Sequence, residues 1–448
     1  MPPTDSNELS NSRILGFSTA ISLVVAGMVG TGVFTSLGFQ LSGMQSPFAI
    51  LCLWGLGGIY ALCGALTYGE LAAAIPRSGG EYQDISRIYN PCLGFLSGWV
   101  SITVGFAAPL AVASMALGQY IHRVSPVMDP VWTAVWVCVL VSLLHSFNLR
   151  LGGRIQIAFT LFKIILILVF LAVVFSHAPS HQDITVLPGE NALSTLMSSS
   201  FAVSFIWVTY AYAGWNNAVY ITGNIRNPGR TIPAALLIGT LLVTVLYLLL
   251  NLSFLLAAPV EKLEGKLEVA HIAAETILGQ QGGKTMSLLI SLGLLSTISA
   301  MTLAGPKVSE VIGEDFIFFR KLSWKNKGGV PVPALLCQLG FVLVLLLTTT
   351  FESVVTFMGV TLILSTIMAV AGVMVLRVRE PQLSRPYKIP LYPLPPLVFL
   401  IISFWVLGHA FQRNPIESIV GVGLLLIGIP LYFLTGHNSG KSTDKTES

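Results

Sequence analysis

Apolar runs of near-uniform length, separated by short polar connections, repeat along the whole chain. A spanning helix needs roughly 20 predominantly apolar residues to cover about 30 Å of hydrocarbon. Runs of that kind occupy residues 14–41, 48–75, 93–121, 130–147, 155–175, 192–222, 233–257, 286–304, 333–349, 353–376, 397–411 and 416–434. They predict an all-α integral membrane protein with twelve transmembrane helices.

The sixth to tenth runs repeat the lengths and gaps of the first five about 180 to 200 residues later. A duplicated unit with an odd number of crossings must enter the membrane from the opposite face, so the pattern predicts a 5+5 inverted repeat. The chain then divides into an N-terminal tail (1–13), a first repeat (14–176), a connection (177–191), a second repeat (192–377), a loop (378–396), two further spans (397–435) and a C-terminal tail (436–448). Basic residues choose the orientation. With the N-terminus inside, Arg13, Arg77, Arg150, Arg154, Arg226, Arg320, Lys321, Arg377, Arg385 and Lys441 are among those on the cytoplasmic side, whereas Arg123, Lys262, Lys266, Lys284 and Arg413 fall outside. This positive-inside bias places both tails and the 378–396 loop in the cytoplasm and the 177–191 connection outside, in a multi-pass protein of the cell membrane.

Two runs are interrupted. The first contains Gly27-Met28-Val29-Gly30-Thr31-Gly32-Val33-Phe34, and glycine weakens a helix by about 1 kcal/mol relative to alanine. Its partner under the inverted repeat, the sixth run, contains Tyr210-Ala211-Tyr212-Ala213-Gly214-Trp215-Asn216-Asn217. Irregular backbone at membrane depth is tolerated where it is buried in protein or lines a cavity. Amides after the first break, from Gly30 to Gly32, suit a carboxylate at a positive helix end. Carbonyls before it, around Gly27 and Val29, together with those from Tyr210 to Ala213, suit an ammonium. The pair fits a zwitterion, which points to an α-amino acid. Gly27, Val29, Gly30, Thr31, Gly32, Tyr210, Ala211, Tyr212, Ala213 and Trp215 are therefore the predicted substrate-binding residues, with Asn216 beside them as a coupling position. Close helix packing is the competing explanation for the glycines.

Composition agrees with a membrane setting: 54% of residues are hydrophobic, 10% are charged, and the mean hydropathy is +0.79. The net charge of +4 is dispersed without a basic tract, which argues against nucleic-acid binding. Cys52, Cys63, Cys92, Cys138 and Cys337 lie in or beside apolar runs without Cys-x-x-Cys spacing, so they read as small hydrophobes. The first run is too long for a signal-peptide core and lacks a cleavage site, so it reads as a retained span. The histidines show no metal-ligand spacing, and no Walker loop, His-Glu-x-x-His or GxSxG motif occurs. No enzyme, cofactor, metal or obligate protein partner is called for.

Of the lysines and arginines, Lys163 is the one that stands inside a run. It lies nine positions beyond Arg154, roughly 13 Å into the membrane at 1.5 Å per residue. A cation at that depth faces a cavity or a partner and is a functional candidate by default; a permanent tether to backbone carbonyls is the structural alternative. Glu70, at the end of the second run, reads as a cap or ion-pair residue near the headgroups.

These features resemble the amino acid/polyamine/organocation superfamily, and within it the bacterial relatives of the L-type amino acid transporters. Val29-Gly30-Thr31-Gly32-Val33-Phe34 is similar to the family's first-helix break. Ile75-Pro76-Arg77-Ser78-Gly79-Gly80-Glu81-Tyr82, Phe95-Leu96-Ser97-Gly98-Trp99, Tyr212-Ala213-Gly214-Trp215-Asn216 and Asn227-Pro228-Gly229-Arg230-Thr231-Ile232-Pro233 match at the expected places. The resemblance implies the leucine-transporter fold, with helices 1 and 6 broken, and transport by alternating access. It places Tyr210 at an aromatic gate. It also places Lys163, spaced from Arg154, Gln156 and Thr160 as in the family, where sodium-coupled relatives hold a structural sodium ion; its ammonium would bridge the first and eighth helices, with Ser296 and Thr297 as partners. One departure is Thr222-Gly223-Asn224, where many members carry an acidic residue.

The expectation is a sodium-independent secondary amino acid transporter, by proton-linked symport or amino acid exchange, with lipid, an amino acid and, in the symport case, protons as its partners. Small Ala211 and Ala213 beside Tyr210 and Trp215 suit small or medium neutral side chains. A polyamine or amine transporter is disfavoured because no carboxylate at membrane depth is evident to balance a second positive charge. A non-transporting amino acid sensor is the alternative from another class.

Overall fold

A chain crossing hydrocarbon must satisfy its own N–H and C=O groups, and single segments do so as helices. The computed structural model describes residues 15–76, 80–147, 152–177 and 187–435, with the backbone alone at 152–157 and 224. Arg77, Arg150, most of the 177–191 connection and both tails lie outside the described residues, and so do the side chains of Arg154 and Gln156.

Every predicted run contains helix. The first is split into α1 (Phe17–Met28) and α2 (Gly32–Gly43), followed by α3 (Pro47–Ala74) and the short α4 (Glu81–Ile88). The third run is α5 (Pro91–Val100) and α6 (Ala107–Val124), joined by a π-helical turn at Ser101–Gly105; α7 (Pro130–His145) and α8 (Gly152–His177) follow. Next come α9 (Ala192–Leu196), α10 (Ser199–Tyr212) and a 3-10 segment, Asn217–Asn224. The remaining helices are α11 (Pro228–Ala257), α12 (Val260–Leu263), α13 (Val269–Asp315), α14 (Val332–Thr348), α15 (Phe351–Arg379), α16 (Leu394–Arg413) and α17 (Pro415–Thr435). Among the described residues nine segments are long and apolar enough to span a bilayer, and α7 and α14 are shorter apolar helices. The protein is a multi-pass helical membrane protein.

Three boundaries differ from the apolar pattern by five residues or more, one of them the end of the eighth span, at Asp315 and not 304. The eighth span begins not near residue 286 but at Val269, because His271, Glu275 and Lys284 lower the hydropathy of a stretch that is nevertheless helical. Gly279, at φ +72°, interrupts it. The seventh begins at Pro228, where proline is favoured in a first helical turn.

The bundle buries aromatic residues at its centre, including Trp54, Tyr68, Tyr212 and Tyr247. α11 packs along α3 and α1, while α10 packs on α2 and α3. Large apolar side chains such as Trp136, Leu144, Ile165, Ile401 and Phe433 remain exposed on the outer faces of α7, α8, α16 and α17. So much exposed apolar surface belongs against lipid.

Candidate functional site

The two helix breaks lie against each other. α1 ends at Met28, the Gly30 amide donates back to the Met28 carbonyl at 2.7 Å, and α2 resumes at Gly32. α10 ends at Tyr212, and Gly214 takes φ +100°, a conformation that favours glycine. A β-carbon on Gly214 would stand 2.6 Å from the Gly27 carbonyl carbon and oxygen, and one on Gly27 would meet Asn217 Nδ2 at 2.0 Å. A β-carbon on Gly32 would meet Ala211 Cα at 2.4 Å. Gly27, Gly32 and Gly214 therefore let two backbones touch. Gly30 differs: the nearest atoms to an added β-carbon are 3.9 and 4.0 Å away.

A cavity of about 810 Å³ opens beside the paired breaks. Its wall takes Gly27, Gly30, Thr31 and Gly32 from the first break, and Tyr210, Ala211, Ala213, Trp215 and Asn216 from the second. Lys163, the π-helical turn, and parts of α13 and α15 complete it. Val29, Tyr212 and Ser296 stand outside that wall. Val29 is fully buried and takes part through its carbonyl. Tyr212 turns its hydroxyl away to the Trp54 carbonyl at 3.0 Å.

The Lys163 ammonium donates to the Val29 carbonyl at 3.2 Å and to Thr297 Oγ1 at 2.7 Å, joining the first break to α13. The Thr297 hydroxyl, not that of Ser296, takes the lysine, since one step along a helix turns a side chain by about 100°. Among the described residues, Ser296 Oγ is buried without a hydrogen-bond partner. Across the breaks, the hydroxyls of Thr31 and Tyr210 are hydrogen-bonded. The Phe34 amide returns to the Thr31 carbonyl at 3.0 Å, so the amides of Thr31, Gly32 and Val33 precede the first hydrogen bond of α2. Such amides, at the positive end of a helix, favour an anion.

One end of the cavity is walled by Glu81 and Tyr82 from α4 and by Lys307 from α13. Glu81 is buried and accepts from the Tyr68 hydroxyl (2.7 Å), Asn216 Nδ2 (3.2 Å) and the Ser365 hydroxyl (2.8 Å). Burial raises its carboxyl above the usual range. Asp84, one turn on, is pushed up to about 8 by burial and by Glu81. Lys307 pairs with Glu310 at 3.3 Å. Outside the cavity wall, Phe39, Trp207 and Phe351 stack with centroids 4.6 to 6.0 Å apart. A second cavity of about 430 Å³ adjoins Phe39, Phe351 and Arg123.

Glu70 belongs to a separate network. It accepts from Arg377 Nε at 2.7 Å and from the Ile389 amide at 2.8 Å, with Arg385 Nε at 3.5 Å. This is an ion-pair site away from the cavity. Among the described residues no three His, Cys, Asp or Glu side chains converge to hold a metal.

Sequence reasoning gave no role to two residues that the structure brings to the breaks. Glu81 lay within a matched motif without an assignment. Tyr247 lay inside the apolar run of α11, and its partners are backbone carbonyls, which leave no sequence signature.

A bundle of apolar helices with two mutually packed interruptions around an internal cavity defines a helical membrane carrier. Residues 15–425 match the amino acid permease family model, and the chain belongs to that family. It is similar to Asc-type amino acid transporter 1 of Mus musculus, with 28% identity over 446 residues, 96% of this chain and 82% of that protein. It is also similar to b(0,+)-type amino acid transporter 1 of Rattus norvegicus, with 27% identity over 97% of this chain and 90% of that protein. The serine/threonine exchanger SteT of Bacillus subtilis is 27% identical over 96% of this chain and 98% of its own length. The resemblance drawn from the motifs is upheld, and the chain is a permease and not an enzyme.

Proposed function

We infer that this permease carries neutral amino acids across the cell membrane by alternating access, independently of sodium. The observation that carries the reading is Lys163, whose ammonium links the Val29 carbonyl of the first break to Thr297 on α13. A fixed cation there supplies the charge and the cross-link that a bound sodium ion would otherwise supply. The substrate carboxylate lies against the amides that open α2, and its ammonium against carbonyls near the ends of α1 and α10. Tyr210, tied to Thr31 and part of the cavity wall, serves as the aromatic gate.

Neutrality follows from the charges on the wall. Its lysine and carboxylate side chains among the described residues are Lys163, Glu81 and Lys307, and each already has a partner. A charged substrate side chain would have to displace one of them, whereas a neutral one displaces none. Glu81 favours a second reading, an amine substrate, because it brings a carboxylate to the cavity. Its three donors argue against that role.

The fold we assign is twelve spans, the first ten as two inverted five-helix repeats, with both termini cytoplasmic. The cavity then reaches the cytoplasmic end through Glu81 and Lys307, and the Phe39, Trp207 and Phe351 stack seals the outer end. Exchange is favoured over proton symport by the similarity to a serine/threonine exchanger. The single chain is taken as the transport unit, although another relative, of Mus musculus, is named the small subunit of a large neutral amino acids transporter. Proteoliposomes separate the coupling modes. Uptake stimulated by preloaded amino acid but not by an imposed pH gradient establishes exchange, and the reverse result overturns it in favour of symport.

A further inference from the structure

The connection between α13 and α14 sorts its side chains onto two faces. It opens with the 3-10 segment Ile317–Ser323, in which side chains three apart lie above one another. Phe316 and Phe319 turn inward. The Phe316 ring lies 4.7 Å from that of Phe95 on α5 and 6.1 Å from that of Tyr432 on α17, and Phe319 lies 6.0 Å from Phe95. Nearby carboxylates are engaged on the same side: Asp315 accepts from the Tyr82 hydroxyl at 2.5 Å, and Glu310 pairs with Lys307 and Lys325.

The opposite face keeps large apolar groups and unpaired cations. Ile317, Phe318 and Trp324 are 57%, 64% and 61% exposed. Arg320, Lys321 and Lys327 are exposed as well, and none of them makes an ion pair among the described residues. Rings and cations interleaved in this way suit the boundary of a bilayer, where the rings enter the upper acyl region and the cations meet headgroup phosphates. The location agrees, because the segment joins two spans and packs beside the end of α17, where Phe433 is 75% exposed. Its far end is tied down by Asn326, whose Nδ2 donates to the Ser146 carbonyl at 2.6 Å. The surface is therefore ordered by the bundle and does not need a ligand to form.

We propose that the 317–327 connection is a docking surface for anionic lipid, with Ile317, Phe318 and Trp324 in the acyl boundary and Arg320, Lys321 and Lys327 on the phosphates. The topology assigned above puts this lipid in the cytoplasmic leaflet. It holds the end of α13, the helix that carries Thr297 and Lys307.

Two measurements on the full chain test the proposal. In vesicles with brominated acyl chains, the fluorescence of Trp324, taken as wild type minus Trp324→Phe, is expected to be quenched at least about twofold more by brominated phosphatidylglycerol than by brominated phosphatidylcholine. Equal quenching by the two lipids overturns the anionic preference, and no quenching places the segment in water, open to a soluble partner or a second copy, and overturns the docking itself. Native mass spectrometry then compares retained phosphatidylglycerol with retained phosphatidylcholine. The triple variant Arg320→Gln, Lys321→Gln, Lys327→Gln is expected to lower that ratio at least about fivefold, whereas Lys262→Gln, Lys266→Gln, Lys284→Gln, which removes the same charge elsewhere, leaves it within about twofold. An unchanged ratio in the first variant, or an equal fall in both, overturns the proposal. Neither readout depends on uptake, so a failure of the transport reading is seen separately.

Discussion

Gly32 lies so close to Ala211 that a β-carbon on the glycine would stand 2.4 Å from the alanine Cα. The contact joins α2 to α10 beside both breaks, and backbone atoms offer no flexible side chain that could yield. A β-carbon on Gly30, two residues earlier, would meet its nearest neighbours at 3.9 and 4.0 Å, ordinary van der Waals contact. The two glycines therefore do different work. Gly32→Val should destabilise the fold by overpacking, by about 1–3 kcal/mol, and Gly30→Val should leave the melting temperature near wild type while removing amino acid binding. Thermal unfolding in detergent beside a binding titration checks both. Matching losses of stability in the two variants would show that both glycines serve packing.

Lys163 should matter more to transport than to folding. Hydrogen bonds to charged groups contribute about 1.5–3 kcal/mol, and Lys163→Ala removes those to Val29 and Thr297 together. Uptake is expected to fall at least tenfold while the yield of folded protein stays within about twofold of wild type. Thr297→Val, which deletes one of the two bonds, should show a smaller loss. If yield and uptake fall in parallel in Lys163→Ala, the lysine is a structural tether.

Asp84 makes stability depend on pH. Its carboxyl is pushed up to about 8 by burial and the neighbouring Glu81, against about 3.9 in an unfolded chain. The folded state holds a proton that the unfolded chain has lost, so this stabilisation is complete below about pH 4 and is lost as pH rises through about 8. Asp84→Asn should melt higher than wild type at pH 8.5 and show a flatter dependence between pH 5.5 and 8.5. Parallel melting curves for the two proteins across that range would contradict the assignment.

Asn216 ties the second break to α4 through Glu81. Asn216→Asp would place a second carboxyl group against the buried Glu81, where Nδ2 now stands 3.2 Å from Oε1, and like charges so close do not both ionise. The contact should open at alkaline pH, and a cysteine introduced at Ala213 should label faster from the side that Glu81 faces. Unchanged labelling between pH 6 and 8.5 would remove Asn216 from the gate.

Much of this architecture was legible because the membrane imposes a simple length rule. Each apolar run fell on helix, and both glycine-bearing interruptions appeared as backbone breaks at Met28 to Gly32 and at Tyr212 to Asn217. Lys163 stood out because a cation inside an apolar run needs an explanation. Other features depended on contacts that no local pattern records. Gly32 and Gly30 look alike in sequence and differ only in what a β-carbon would meet. Thr297 and Ser296 are adjacent hydroxyls separated by helix rotation. Tyr247 bonds to backbone, so no partner side chain announces it, and Glu81 enters the cavity only because α4 folds back beneath Asn216.

The most direct test of the account is uptake by the purified protein in sodium-free proteoliposomes, across a full panel of radiolabelled amino acids and diamines. The account predicts saturable uptake of at least one neutral amino acid, unchanged when sodium is added, with no diamine uptake. Failure across the whole amino acid panel, or uptake that requires a sodium gradient, would contradict it.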